Sequence, residues 1–289
     1  MLNNTKISFE LFPSPLQLQN GKLGSVIDHF NQYEPDFFSV TFGAGGSSSY
    51  VSSLELVKHL VEKGIEVTAH ITCFHLTKKQ IFDRLQQYIS LGVNKLVVIR
   101  GDQPEGEHTE VSFNYAYQLI SYIREISGDY FDITIAAYPE FYPESKAIEE
   151  DVLNLKQKIE AGADRAITQY FYNIDAFYYF MDLCQKNDIN IPIIPGVMPI
   201  SNYEKLKKFS KICDADIPQW LDKRLSAYAD DPVSYREFCT DVVSKLCEDL
   251  IAQGVPGIHF YILNQTTSAS AVLDNLRLNQ TNNTQQAKV

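Results

Sequence analysis

The sequence predicts a single (β/α)8 barrel of the TIM type. Three observations carry the prediction. Eight short runs are apolar and β-rich, helical segments lie between them, and polar groups close several of the runs. Parallel barrels collect their functional groups at those C-terminal strand ends. The length, 289 residues, suits a barrel of about 250 residues. A doubly wound parallel sheet is the structural alternative.

The runs are 7–12, 37–43, 66–74, 95–101, 132–139, 165–171, 191–199 and 257–264. Their composition is that of parallel strands covered on both faces. The first, Ile7-Ser8-Phe9-Glu10-Leu11-Phe12, stops at Pro13 and places a carboxylate among apolar neighbours. Such a charge is costly unless it is paired or faces a cavity. Glu10 is therefore either a general acid whose pKa burial raises or half of an ion pair, with an Arg, inside the barrel.

The second run leads into Gly43-Ala44-Gly45-Gly46-Ser47. A dinucleotide fingerprint needs a third Gly where Ser48 stands, so this reads as a βα loop. The third run holds His70 and Cys73, with His75 just beyond. Alternation along a strand turns His70 away from the other two, and no metal site is expected. His70 either contacts a cofactor or satisfies a core hydrogen bond. Thr77 and Gln80 then form a capping box that opens the next helix.

The fourth run ends in Arg100-Gly101-Asp102, either a local ion pair or a seat for a polar heterocycle. The fifth ends in Tyr138-Pro139-Glu140, and a helix follows with Ile148, Val152, Leu155 and Ile159 on one stripe. Asp151, Asn154, Lys156 and Lys158 lie on that helix, and Lys158 can reach a phosphate if the helix borders the barrel mouth. The sixth run carries Gln169-Tyr170. After the seventh, Ser201 and Glu204 read as a second capping box, with Leu206, Phe209 and Ile212 as the apolar stripe of the helix. Phe209 is core by default. An irregular stretch at 218–222 interrupts the repeat, and a helix over 231–252 restores it before the last strand. Beyond Leu278 the chain is rich in Asn, Gln and Thr without periodicity. The expected organisation is a barrel over 1–278 and a disordered tail over 279–289.

The formal net charge is −11. That argues against nucleic acid or an anionic membrane as partner. Small-molecule substrates are the expected ligands. Five Cys, an odd number with no C-x-x-C pair, indicate neither a disulfide framework nor a zinc cage. No apolar run approaches the roughly 18 residues of a membrane span, and the N-terminus lacks the apolar core of a signal peptide. A cytoplasmic protein is expected, as a homo-oligomer.

Several segments together resemble methylenetetrahydrofolate reductase. They are Ser8-Phe9-Glu10, the stretch from Ser39 to Ala44, His70-Ile71-Thr72-Cys73, Arg100-Gly101-Asp102 and Ala136-Ala137-Tyr138-Pro139-Glu140. Asn154-Leu155-Lys156, the stretch from Ala163 to Gln169, Ile194-Pro195-Gly196 and His259-Phe260-Tyr261 continue the series in the family's order.

The resemblance implies an FAD enzyme. A reduced nicotinamide, NADH or NADPH, passes hydride to the flavin and leaves; 5,10-methylenetetrahydrofolate then takes its place and is reduced to 5-methyltetrahydrofolate. Glu10 matches the family's general acid, which helps protonate folate N10 and open the five-membered ring to an iminium. Asp102 matches a carboxylate near the flavin and folate rings, whose charge favours that cation. Thr41, His70, Arg100, Gly101 and Ala116 match flavin contacts, as do Tyr138, Asp151, Asn154 and Lys158. Gln169 matches an amide that meets folate and nicotinamide in turn. Phe209 matches an aromatic that stacks on either, a role that displaces the core reading.

The chain departs from the pattern in places. Tyr142 stands where relatives often carry His, and Gln157 replaces a common Arg beside the flavin phosphates. Lys205 and Gln265 stand where some bacterial relatives have Gln and Arg near the folate. Nothing after the barrel matches the regulatory domain of the eukaryotic enzymes, and no Cys-rich partner domain is seen, so direct use of NADH is expected. A folate-binding barrel methyltransferase without redox chemistry is the rival activity, and a non-catalytic binding protein on the same scaffold is the rival class.

Overall fold

A computed structural model of the chain describes residues 5–42, 48–74, 76–101, 112–140, 147–228 and 231–286, apart from the side chains of 48–50 and 277–286. The 43–47 loop, His75, Asp102 and Tyr142 therefore lie outside the described residues. The strands are β1 (Lys6–Leu11), β2 (Phe37–Val40), β3 (Val67–Thr72), β4 (Lys95–Ile99), β5 (Asp132–Ala137), β6 (Arg165–Tyr170), β7 (Ile193–Val197) and β8 (Gly257–Tyr261). They close into a barrel in that order, which removes the doubly wound alternative. Every predicted run overlaps one strand. Each strand stops short of its run's C-terminal end, where the chain leaves the ladder and its polar groups become available.

The chain divides into two compact units. The first comprises Ser8–Ala136 and Asn154–Ala166. It contains α1 (Pro15–Gln19), α2 (Lys22–Asn31), α3 (Ser48–Glu62), α4 (Lys78–Ser90) and α5 (Ala116–Ser127). Phe9 settles which way β1 faces. Its ring lies 4.5 Å from Phe30 of α2 and 5.7 Å from Phe38 of β2, so Phe9 and Leu11 belong to the helix-facing side. Ser8 and Glu10 take the opposite, inner side. Register carries that side across the sheet: Glu10 pairs with Ser39 and Ser39 with Thr68, while His70 pairs with Val97 and Val97 with Thr134. Ser8, Ser39, Thr68, His70 and Thr134 are all buried. A polar inner row of this kind departs from a packed barrel core of branched aliphatics.

The N-terminal ends of β5 and β6 are tied by charge. Arg124 of α5 donates to the carbonyls of Gly162 (2.9 and 2.7 Å), Phe131 (2.7 Å) and Gly128 (3.2 Å), and to Asp164 (2.6 Å). Asp164 also accepts the Ile133 N–H at 2.7 Å, and Arg165 pairs with Asp132. The predicted capping box of α4 is present, with Thr77 and Gln80 exchanging bonds.

The second unit comprises Met1–Ile7, Ala137–Leu153 and Ile167–Val289. It holds α7 (Ile174–Lys186), α8 (Tyr203–Cys213), α9 (Gln219–Ala227), α10 (Pro232–Ala252) and α11 (Thr267–Gln286). Helix α6 (Ile148–Glu160) begins in this unit and ends in the first. The predicted helix over 231–252 is α10, capped by Asp231, whose carboxylate accepts from Val233 and Ser234 N–H. Helix α11 continues past Leu278, where the sequence loses its periodicity.

Two local expectations are corrected. The stretch at 218–222 is not irregular, because it starts α9, with Leu221 and Leu225 buried and Pro218 as its N-cap residue. The cap of α8 is Asn202, not Ser201: its side chain accepts the Lys205 N–H at 2.9 Å. The apolar face shifts with the start. Leu206 and Ser210 are buried, Phe209 is half-buried and Ile212 is 64% exposed.

Candidate active site

Glu10 sits one residue before the end of β1, with its side chain 24% exposed. Among the described residues no Arg or Lys pairs with it. His70 of β3 stands beside it, with Nε2 3.9 Å from the Glu10 Oε2. Burial pushes the Glu10 carboxyl up to about 7. Burial acts oppositely on the imidazole and holds His70 down at about 3. The pair is therefore an acid able to keep its proton near neutrality beside an uncharged ring. Among the described residues, the ion-pair reading of Glu10 with an Arg finds no partner.

Among the described residues, both ring nitrogens of His70 are buried without a hydrogen-bond partner, as is the Oγ1 of Thr41. Thr41 follows β2 and is held by its own N–H, which donates to the Leu11 carbonyl at 3.0 Å. Unfilled polar atoms at two adjacent strand ends are costly unless a ligand supplies what they lack. Beside them, Arg100 leaves β4 with its guanidinium 5.4 Å from the Phe74 ring centre and 6.0 Å from that of Tyr115. Gly101 has φ +80, and a Cβ there would lie 3.0 Å from Thr72 Cβ. The backbone can pass Thr72 only because that atom is missing. Ala116 is the first residue of α5.

Lys158 of α6 donates to the Ala136 carbonyl near the end of β5 at 2.6 Å. Asp151, Asn154 and Lys158 recur on α6 at helical spacing. Asp151 is buried and Asn154 exposed. Tyr138 is half-buried just after β5.

In the second unit, Gln169 of β6 is half-buried, and its side-chain oxygen accepts the N–H of Tyr170 at 3.0 Å. The Tyr170 hydroxyl meets the Ser210 hydroxyl of α8 at 3.1 Å. Thr168 Oγ1 accepts the Gly196 N–H at 2.9 Å, and the Thr168 carbonyl accepts the Tyr261 hydroxyl at 2.8 Å. Tyr261 and Gln265 line one small pocket with Pro199, Ser201, Leu263 and Ser268. Lys205 is exposed on the first turn of α8.

Comparison with known proteins decides the family. A family model described as Methylenetetrahydrofolate reductase matches residues 2–277. The chain belongs to the methylenetetrahydrofolate reductase family. It is 37% identical over 265 residues to the 5,10-methylenetetrahydrofolate reductase of Buchnera aphidicola subsp. Acyrthosiphon pisum, covering 91% of this chain and 89% of that protein. It is 33% identical over 271 residues to the Escherichia coli (strain K12) protein of the same name, covering 93% and 90%. A solved structure, a Clostridium thermocellum protein described as binding two copies of 5-methyl-5,6,7,8-tetrahydrofolic acid, superposes with a TM-score of 0.65. At 19% identity over 94% of this chain and 95% of that one, it shares the fold.

Members of the methylenetetrahydrofolate reductase family are oxidoreductases that reduce methylenetetrahydrofolate to methyltetrahydrofolate, and this chain is a barrel enzyme of that family. Among the described residues no helix is long and apolar enough to cross a membrane. Sequence reading did not single out Thr168, Gly196, Ser210 or Tyr261 for a role, and left Glu140 as a strand-end residue. Glu140 accepts the Asp216 N–H at 2.8 Å through Oε2, while Oε1 is buried without a partner among the described residues. Burial, reinforced by the charges of Asp216 and Asp214, pushes its carboxyl up to about 7. The one sequence signal for it is a carboxylate directly after the apolar run that becomes β5.

Proposed function

We propose that the protein is an FAD-dependent reductase that converts 5,10-methylenetetrahydrofolate to 5-methyltetrahydrofolate with NADH or NADPH, the nicotinamide leaving before the folate binds. The observation that carries this reading is Glu10. A carboxyl raised to about 7, beside a neutral imidazole and without a cationic partner among the described residues, is suited to donate a proton near neutral pH.

FAD fits the residues present. Thr41 Oγ1 and the His70 nitrogens need polar partners that a flavin's heteroatoms can supply. Arg100 and Lys158 offer positive charge for its phosphates on an otherwise acidic chain. Gly101, Ala116, Tyr138, Asp151 and Asn154 complete the proposed cofactor contacts, together with Asp102, which is outside the described residues. When bound, FAD supplies the carrier that accepts hydride from the nicotinamide and yields it to the folate.

Glu10 holds its proton until the folate is in place and delivers it at N10, so that the five-membered ring opens. The Asp102 carboxylate would stabilise the resulting cation. Gln169 spends its oxygen on Tyr170, so its two N–H donors face the ligand. Phe209, half-buried on α8, supplies a stacking surface for folate and nicotinamide in turn. Lys205 and Gln265 lie near the folate tail. The enzyme is proposed to work in the cytoplasm as a homo-oligomer.

The purified protein should be yellow and release FAD on denaturation. A colourless protein that cannot be reconstituted with FAD would overturn the reading.

A further inference from the structure

Gln169 lies on β6 between two residues that hydrogen bonds clamp to β7, β8 and α8. The residue before it, Thr168, is held twice: Oγ1 accepts from Gly196 N–H of β7 at 2.9 Å, and its carbonyl accepts from the Tyr261 hydroxyl of β8 at 2.8 Å. The residue after it, Tyr170, is buried and meets Ser210 at 3.1 Å. It also gives its N–H to the Gln169 oxygen at 3.0 Å. A backbone N–H can only donate, so this bond fixes the amide orientation and leaves the Nε2 donors outward.

The clamp is built for close approach. A Cβ on Gly196 would lie 2.2 Å from the Thr168 carbonyl oxygen and 2.6 Å from Tyr261 Cε2. Only glycine lets the Tyr261 ring lie against β7 and still reach Thr168. The ring of His259, two residues earlier on β8, meets Tyr261 edge-on at 5.2 Å. Tyr170 meets it from β6, at 6.4 Å between ring centres. The phenol is thereby braced on two sides. Its hydroxyl points at one carbonyl, a single peptide unit from the proposed substrate amide.

We infer that Tyr261 is a positioning residue for folate binding: its hydroxyl fixes the Thr168 carbonyl, and through it the place at which Gln169 presents its donors. The inference rests on the proposed role of Gln169. The Tyr261 hydroxyl meets β6 at the Thr168 carbonyl, one residue before Gln169. Loss of the hydroxyl acting through Gln169 would be coupled to Gln169, whereas a direct effect through the pocket that Tyr261 shares with Gln265 would add independently of it.

The test is a double-mutant cycle on the FAD-loaded enzyme with Tyr261→Phe, Gln169→Ala and the pair. Calorimetric affinity for 5-methyltetrahydrofolate, the folate KM and kcat, and the melting temperature are measured for each. Tyr261→Phe keeps the ring and its packing. It should weaken folate binding and raise KM roughly three- to tenfold, as the loss of one hydrogen bond would, with a smaller change in kcat. In the Gln169→Ala background the same substitution should add less than about twofold, since coupled residues are non-additive. Additive effects, or a lower melting temperature with unchanged folate affinity, overturn the inference. Unchanged affinity in Gln169→Ala alone removes Gln169 from the folate site and the clamp's role with it. The reductase reading would survive that result, provided the enzyme stays yellow and turns over.

Discussion

His70 stands 3.9 Å from Glu10, Nε2 to Oε2, as a ring that burial keeps uncharged. A protonated imidazole at that distance would hold the carboxyl ionised. A neutral one leaves it protonated close to pH 7, which is the state a general acid needs.

Glu10→Gln should separate the two half-reactions. Reduction of the flavin by nicotinamide needs no proton at N10 and should persist. Folate reduction should fall by roughly a hundredfold or more. Stopped-flow measurement of each step decides, and equal losses in both would make Glu10 structural.

The same carboxyl links stability to pH. Its folded pKa, about 7, lies above the ordinary 4.5. Between these values the folded state holds a proton that the unfolded chain has released. Stability is therefore lost as pH rises through that window. Glu10→Gln removes the titration. The variant should gain on wild type above about pH 7, by about 1–3 kcal/mol, and lose that gain on acidification. Melting temperatures on either side of the window test this; a difference that ignores pH would contradict it.

Phe209→Ala should weaken folate and nicotinamide binding together. Because Phe209 is only half-buried, its truncation should cost less stability than the roughly 3–5 kcal/mol of a fully buried Phe. Both affinities and the melting temperature belong on one preparation. A full core penalty with intact binding would return Phe209 to the core.

Lys158→Ala should loosen FAD by about 1.5–3 kcal/mol, the scale of a charged hydrogen bond. It also strips the Ala136 carbonyl of its donor. Wild-type affinity should weaken as salt rises, because the ammonium is partly exposed. FAD titrations into apoprotein at several ionic strengths read both effects. Unchanged affinity in the variant would hand the phosphates to Arg100 or to backbone amides.

The barrel was legible because each strand is an apolar run and each inner polar residue interrupts one. Glu10 and His70 announced themselves in that way. Helix α9 did not, because only Leu221 and Leu225 of its nine residues are buried, too short a stripe to read as a period. The cap of α8 slipped by one residue because Ser201 and Asn202 are both good N-caps, and only the bond to Lys205 N–H chooses between them. The Tyr261–Thr168 bond spans 93 residues. No local pattern encodes a contact that register and a missing Cβ create together.

Arg124 has a consequence for how this family member can change over time. Its guanidinium is a rigid planar fork, and every nitrogen is engaged by residues of the turns at 128–131 and 162–164. Inserting or deleting a residue in either turn would pull a carbonyl off the fork, and Gly162 has no room for a side chain against Arg124. Those two turns are fixed in length by a single side chain. Variation in loop length is left to the opposite ends of the same strands, where ligand preference can drift without loosening the base of the scaffold.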